Sequence, residues 1–338
     1  MTRRLSITVD LAGTDEDRRR TYAYVQAADE VGVDTLFVTE AWGREPFGPL
    51  AILADRTSKI KLGTSIVNIY SRTPAALAQH FTTLDEISGG RAIAGLGTSG
   101  KLVIEEFHGM PFERSATRLR ETIQIMKMLF ASEPLRFDGQ VFKFERGFTL
   151  RFTPLRPNIP IYLASFRPAG MKLVAELGDG WLPMMIPLER LADQVGDMRA
   201  MVSAAGRDPS AVVAKSPGLV IVTTDVEGAR LGQKRNLSYY IARMGLYYHT
   251  HLTAMGRGEE VIAVHKGWED SGSTGGANAV SDDLMEAFAR IVTPDQVDDA
   301  VARLEEQQAA GVDLHQIVIS GVNDVAEQRR ILEHLVGK

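Results

Sequence analysis

No cysteine occurs anywhere in the 338 residues. That excludes disulfides, cysteine nucleophiles and thiolate metal sites, and leaves the redox compartment open. Also absent is any run of about 18 consecutive apolar residues, so no membrane span is expected. Basic blocks are lacking as well. Lys and Arg number 38 against 43 Asp and Glu, a net charge of −5, which argues against nucleic acid as the main partner. The opening MTRRLSITVDLAG has arginines but no sustained apolar segment behind them. No secretory signal is therefore expected, and a cytoplasmic location is the default. Low-complexity tracts and interdomain linkers are missing too. What is there is an ordinary globular composition, 44% hydrophobic and 24% charged, ample for a large core.

Strand and helix patterns alternate along the chain. LSITVD (5–10), DTLFVTE (34–40), KLGTSIV (61–67) and RAIAGLG (91–97) read as buried strands, with helices over 15–31, 48–57 and from Pro74 to Gly89 between them. Thr73–Pro74 is an N-cap followed by proline at the first helical position. A helix over 115–131 leads to a hairpin, LRFDGQVFKFE, with Asp138–Gly139 at its turn. IYLAS (161–165), GWLPM (180–184), AKSPGLVIVTTD and LHQIVIS (314–320) complete the strands, with helices over 168–177, 188–205, from Thr293–Pro294 to about 310, and 323–335. Residues 231–290 look helical without a clean period. Strands alternating with helices in this way imply a (β/α)8 barrel. Such a barrel needs about 250 residues; the surplus lies in the hairpin and in 231–290.

Residues 95–100, GLGTSG, match the GxGxxG spacing of dinucleotide sites, but no helix begins at once and no acid closes a following strand, so a barrel loop is the better reading. Its glycines allow a flat ring or a phosphate to approach the backbone. His249, His251 and His265 lack the spacing and the carboxylate partners of a metal site, and no metal is expected.

The words LGTSI, RTPAALAQ and LDEISGGRAIAGLGTSG together resemble the third-to-fourth-strand region of the bacterial luciferase-like superfamily. IEEFHGMPFERSATRLRET and IYLASFRPAGMKLVAELGDGWLP resemble more narrowly its branch that uses the deazaflavin coenzyme F420. The resemblance covers nearly the whole chain and is thinnest between 225 and 290. It implies a luciferase-like TIM barrel, a single domain over 1–338 with a helical insertion at about 231–290. It implies an oxidoreductase that moves a hydride between F420 and a small organic substrate, with a homodimer or higher homo-oligomer as its assembly. An FMN-dependent monooxygenase and a non-catalytic flavin-binding paralogue are the alternatives on the same fold.

The resemblance also places residues. The family's non-prolyl cis peptide falls at Ser65–Ile66, behind the flavin-type ring. Cofactor contacts fall on Glu40, Thr64, Ser65, Ile66, Gly97, Thr98, Ala164, Ser165 and Phe166. The amides opening the helix after strand five are a place for a phosphate; the alternative for Ser165 is an ordinary N-cap. One of His108, Arg114, Arg118 and Arg120 is a further candidate for a phosphate or an acidic tail, against a solvated helix face.

Glu40 closes the second strand, and a carboxylate at the C-terminal end of a barrel strand reads as functional. Hydride transfer to a polarised double bond leaves an anion that needs a proton, so Glu40 is the candidate catalytic acid. The alternative is an ion pair with Arg44 or Arg72 that fixes a loop. Sugar-phosphate dehydrogenases of the superfamily carry Asp-His here and an acid after the fourth-strand glycines. Glu40–Ala41 and Gly100 stand in those places, against that substrate class. Trp42, Tyr247 and Tyr248 are assigned to a substrate-side lid, against helix packing on the barrel or on a second subunit.

Overall fold

The computed structural model describes residues 2–338. The fold is a (β/α)8 barrel with surrounding helices, and the chain divides into two compact units. One runs from Ser6 to Leu182 and takes in Met198–Val213; the other comprises the chain up to Leu5, Pro183–Asp197 and Ala214–Lys338.

The strands of the first unit are β1 (Leu5–Thr8), β2 (Thr35–Val38), β3 (Lys61–Thr64), β4 (Val67–Asn68), β5 (Ala92–Gly97), β6 (Leu135–Asp138), β7 (Lys143–Phe148), β8 (Ile161–Leu163) and β9 (Gly180–Trp181). All but β6 and β7 lie parallel, in the order β1-β2-β3-β5-β8-β9, with β4 also on β5. In register, Leu36 stands opposite Leu62, Leu62 opposite Ala92, and Leu163 opposite Trp181. β2 and β5 are buried along their whole length, as strands covered on both faces must be. Five helices join them: α1 (Asp15–Val31), α2 (Phe47–Asp55), α3 (Pro74–Ser88), α4 (Ser115–Phe130) and α5 (Pro168–Leu177).

Local chemistry sets the boundaries. Thr14 caps α1 in a capping box with Asp17. The Thr73 side chain accepts from Ala76 N at the start of α3, where Pro74 occupies the first turn. α4 begins after Arg114, not by a side-chain cap but from a left-handed residue, φ 47°. The hairpin β6–β7 is antiparallel, with Asp138 opposite Lys143. Its turn is wider than Asp138–Gly139. The Glu121 carboxylate accepts from the backbone N–H of Gln140, Val141 and Phe142 at 2.7, 3.0 and 2.9 Å, which holds the four-residue loop open.

The second unit holds β10 (Val213–Thr223), β11 (Ala289–Val292) and β12 (Leu314–Ser320), parallel in the order β11-β10-β12. The register shifts between Lys215 and Leu219, where Ser216-Pro217-Gly218 forms a bulge and the Ser216 hydroxyl donates to the Gly218 carbonyl. β11 was not expected, since it lies at the end of the stretch read as helical. That stretch contains α7 (Val226–Arg243), α8 (Leu246–Leu252), α9 (Gly258–Ala279) and α10 (Asp282–Phe288). A π-turn over Thr253–Arg257 and a break at Ser271–Gly272 dephase the apolar stripe, which is why no clean period was visible. The helices bury Leu237, Ile241, Leu252, Val264, Leu284 and Phe288 in one cluster. α6 (Leu188–Ala204), α11 (Val297–Ala309) and α12 (Val325–Val336) complete the list. Among the described residues no helix is long and apolar enough to cross a membrane.

Candidate active site

The carboxyl ends of the first unit's strands carry the polar and small residues. Glu40, two residues past β2, is only 7% exposed. A buried carboxylate needs partners, and it has three donors. Arg72 Nη1 donates to Oε1 at 2.5 Å. Asn68 donates to Oε2 through Nδ2 at 3.0 Å and, more weakly, through its backbone N at 3.4 Å. Of the two pairings considered for Glu40, the Arg72 one forms. Arg44 bonds Asp10 instead, at 2.8 Å. Both carboxylate oxygens therefore act as acceptors.

Asn68 itself is 4% exposed, and its Oδ1 accepts from Tyr70 N and Ser71 N at 3.0 and 2.8 Å. Its Nδ2 lies 3.2 Å from His108 Nε2. Arg72 also donates to Ser71 Oγ at 3.0 Å and lies over the Phe47 ring, 5.3 Å from its centroid. Phe47 stacks in turn on His80, 4.5 Å between centroids. The loop from Glu40 to α2 is thus held by an ion pair and by aromatic contacts. Glu45 caps that helix, accepting from Phe47 N and Gly48 N, both at 2.8 Å.

The bond Ser65–Ile66 is cis, as the resemblance implied. Ile66 meets β5 at Gly97. A Cβ there would come within 3.0 Å of Ile66 Cδ1, 3.1 Å of its Cγ1 and 3.4 Å of Ala164 Cβ. Ile66, Gly97 and Ala164 therefore form one close-packed surface at the exits of β3, β5 and β8, and Asn68 stands opposite Gly97 in register. Thr64 is turned into the wall: fully buried, its hydroxyl donates to the Gly95 carbonyl at 2.6 Å. Ser65, Thr98, Ser165 and Phe166 are half-buried at the strand exits. Ser165 is not the N-cap of α5. That position belongs to Arg167, with no side-chain cap, while the Ser165 carbonyl accepts from Trp181 Nε1 at 2.7 Å.

Beside Glu40 opens a cavity of ≈ 460 Å³ lined by Thr8, Asp10, Glu40, Ala41, Trp42 and Arg44, among others. That is the size of a small-molecule site. Trp42 is 46% exposed on its wall. Ala41, directly after Glu40, has φ 43°, and Ser99, directly after Thr98, has φ 57°. Left-handed non-glycine residues cluster at functional strand ends.

Tyr247 and Tyr248 lie on α8 in the other unit. Tyr248 meets Tyr240 edge to face at 5.1 Å and packs against the apolar cluster. Burial pushes both hydroxyls up, each helped by a neighbouring tyrosine. His249 and His265 meet edge to face at 5.3 Å.

Asn68 escaped sequence reasoning altogether. Nothing marks an asparagine between Val67 and Ile69; only the β4 pairing with β5 and the fold of the loop behind it reveal its position. Arg72 was expected only as a partner of Glu40, and His108 only as a contact for a phosphate or an acidic tail; neither was linked to Asn68.

Residues 5–313 match the profile of a family described as luciferase-like monooxygenase. The chain is 33% identical to a putative coenzyme F420-dependent oxidoreductase of Mycobacterium tuberculosis, over 92% of this chain and 93% of that one. It is 32% identical to the 5,10-methylenetetrahydromethanopterin reductase of Archaeoglobus fulgidus, over 86% of each. Among solved structures, the coenzyme F420-dependent tetrahydromethanopterin reductase of Methanopyrus kandleri superposes with a TM-score of 0.80 at 22% identity, covering 100% of this chain and 98% of that one.

Proposed function

From the premise that the chain belongs to the luciferase-like monooxygenase family, we propose that it is a coenzyme F420-dependent oxidoreductase acting on a small organic substrate. What carries the reading is its 33% identity, across nearly its full length, to a protein described as F420-dependent. The single-domain organisation and the homo-oligomer expected from the sequence belong to the same proposal.

The residues present fit a deazaflavin. A flat ring needs a flat apolar floor, and Ile66, Gly97 and Ala164 supply one with no projecting side chain at Gly97. A phosphate needs free N–H groups, and the start of α5 has no side-chain cap to occupy its own. Bound there, the deazaflavin would supply the hydride chemistry, as donor or acceptor. Ile66 backs the ring, and Thr98, Ser165 and Phe166 flank it. Trp42 and the cavity beside Glu40 take the substrate. Arg72 and Asn68 hold the Glu40 carboxylate still, and Glu40 exchanges the proton that must accompany hydride transfer.

Parallel absorbance titrations with F420 and FMN test the cofactor. The expected result is micromolar or tighter F420 binding, weaker FMN binding, and turnover without oxygen uptake. Tight FMN binding with oxygen consumption and no affinity for F420 would overturn the reading in favour of a monooxygenase.

A further inference from the structure

Asn68 joins two groups that lie far apart in sequence, and its orientation is fixed independently of both. Its Oδ1 accepts from two backbone N–H groups, Tyr70 and Ser71. The amide can therefore present only its NH2 to the other side. One N–H goes to Glu40 Oε2. The other faces His108 Nε2 at 3.2 Å. A donor facing a ring nitrogen requires that nitrogen to accept, so the imidazole carries its hydrogen on Nδ1. No protein group among the described residues bonds that Nδ1–H, and His108 is half-buried, its ring meeting Phe107 edge to face at 5.0 Å. Asn68 stands opposite Gly97, at the level of the apolar floor.

We infer that Asn68 is a positioning residue that sets His108 as the Nδ1–H tautomer, so that the imidazole offers a hydrogen-bond donor to a carbonyl oxygen of the bound deazaflavin ring. The identity of the ligand rests on the reading proposed above; the tautomer does not. Free imidazole side chains favour the opposite tautomer, with hydrogen on Nε2, so the orientation is imposed by the fold. A pyrimidinedione ring presents carbonyl acceptors along its edge, and a fixed neutral donor binds one without placing a charge beside the ring.

The test has two arms. Nitrogen-15 NMR of histidine-labelled protein, without any ligand, reads the tautomer. The wild type should show His108 as Nδ1–H. Asn68→Asp keeps an oxygen for Tyr70 and Ser71 but presents an acceptor to the ring, and should turn His108 to Nε2–H. Asn68→Leu, which removes both interactions, should release it to the free-solution preference. An Nε2–H wild type, or an Asn68→Leu variant that is folded and unchanged, would overturn the positioning role. In the second arm F420 is titrated by fluorescence and NMR. The His108 Nδ1–H signal should shift on binding, and His108→Phe should weaken F420 binding at least tenfold. Unchanged affinity and an unmoved signal would overturn the contact. Failure of the wild type to bind F420 at all would instead sink the proposed function and leave the tautomer result standing.

Discussion

The two ends of the parallel sheet in the first unit are built by different rules. At its amino end, Asp85, 1% exposed, takes a two-pronged contact from Arg156, with Nε to Oδ2 at 2.9 Å and Nη2 to Oδ1 at 2.7 Å, and also accepts from Ala92 N. Ser88 Oγ accepts from Arg91 N, Gly89 ends α3 in a left-handed turn, and the Arg91 guanidinium donates to the carbonyls of Ala54, Thr57, Ile60 and Ser88. At the carboxyl end, Glu40, Arg72, Asn68 and His108 form an open chain of contacts beside a cavity. The first network is closed, each charge spent on a neighbour or on backbone carbonyls. The second leaves an imidazole N–H and a cavity wall unspent. In a barrel of this class the amino end reads as stability and the carboxyl end as function.

This division makes the comparison breakable. Removing a member of the closed network should cost folding and spare the site; removing a member of the open one should do the reverse. The largest loss of stability is expected from Asp85→Ala, which leaves Arg156 without its carboxylate and the Ala92 N–H without an acceptor. Breaking one side of such a buried pair costs about 3–5 kcal/mol, and the 31% exposure of the Arg156 side chain puts this case near the lower limit. Urea denaturation should show it, with the F420 affinity of the folded protein unchanged. A stable variant that has lost cofactor binding would mean that the two ends are not separate.

A smaller loss is expected at Asp29, which belongs to the same end. Its carboxylate accepts from Ser58 N, Lys59 N and Ile60 N at 2.9, 2.8 and 2.6 Å. Burial alone would raise this carboxyl; the three N–H groups outweigh it and hold it below the usual carboxylate value. A carboxyl lowered in the folded state adds stability that is present above its unfolded value and lost as the pH falls through the folded one. Asp29→Asn turns an N–H group toward donors and should cost about 2 kcal/mol at neutral pH. The gap between wild type and variant should narrow in acid, in denaturation curves recorded from pH 7 down to pH 3. A gap that is constant with pH would show that the charge is not what binds the loop.

The same contrast explains what the sequence made legible. Asp85, Ser88, Gly89 and Arg91 are contiguous and serve one helix end and one strand start, so LDEISGGR reads as a word. The strand–helix alternation and the cap at Thr73 were readable for the same reason: each depends on neighbours within four residues. The word that pointed to the superfamily turns out to be a folding device. The members of the open network come singly, at 40, 68, 72 and 108, from the exits of β2, β4 and β5, and no local pattern unites them. Glu40 was found because it stands at a strand's exit. Asn68 was missed because its meaning lies in the pairing of β4 with β5. β11 was missed because helix breaks at Gly256 and Ser271–Gly272 blurred the period before it.

The smallest effect on stability and the sharpest on chemistry are expected at Glu40. Glu40→Gln retains one acceptor oxygen and gains an NH2, so it can satisfy Arg72 or Asn68 but not both. Arg72 keeps Ser71 Oγ and the Phe47 ring, and the cavity admits water, so the cost should be about 1 kcal/mol. If Glu40 exchanges the proton of the reaction, turnover should fall by about 10²–10⁴-fold, with F420 affinity nearly unchanged. Arg72→Met separates this from a purely structural role. It removes the same ion pair and leaves the ionisable group in place. A loop-fixing Glu40 predicts equal losses of turnover from the two variants, and no further loss when they are combined. A proton-exchanging Glu40 predicts a much deeper loss from Glu40→Gln than from Arg72→Met. Equal losses would move Glu40 into the class of Asp85, a charge spent on holding the fold, and would leave His108 as the member of this network poised toward a ligand.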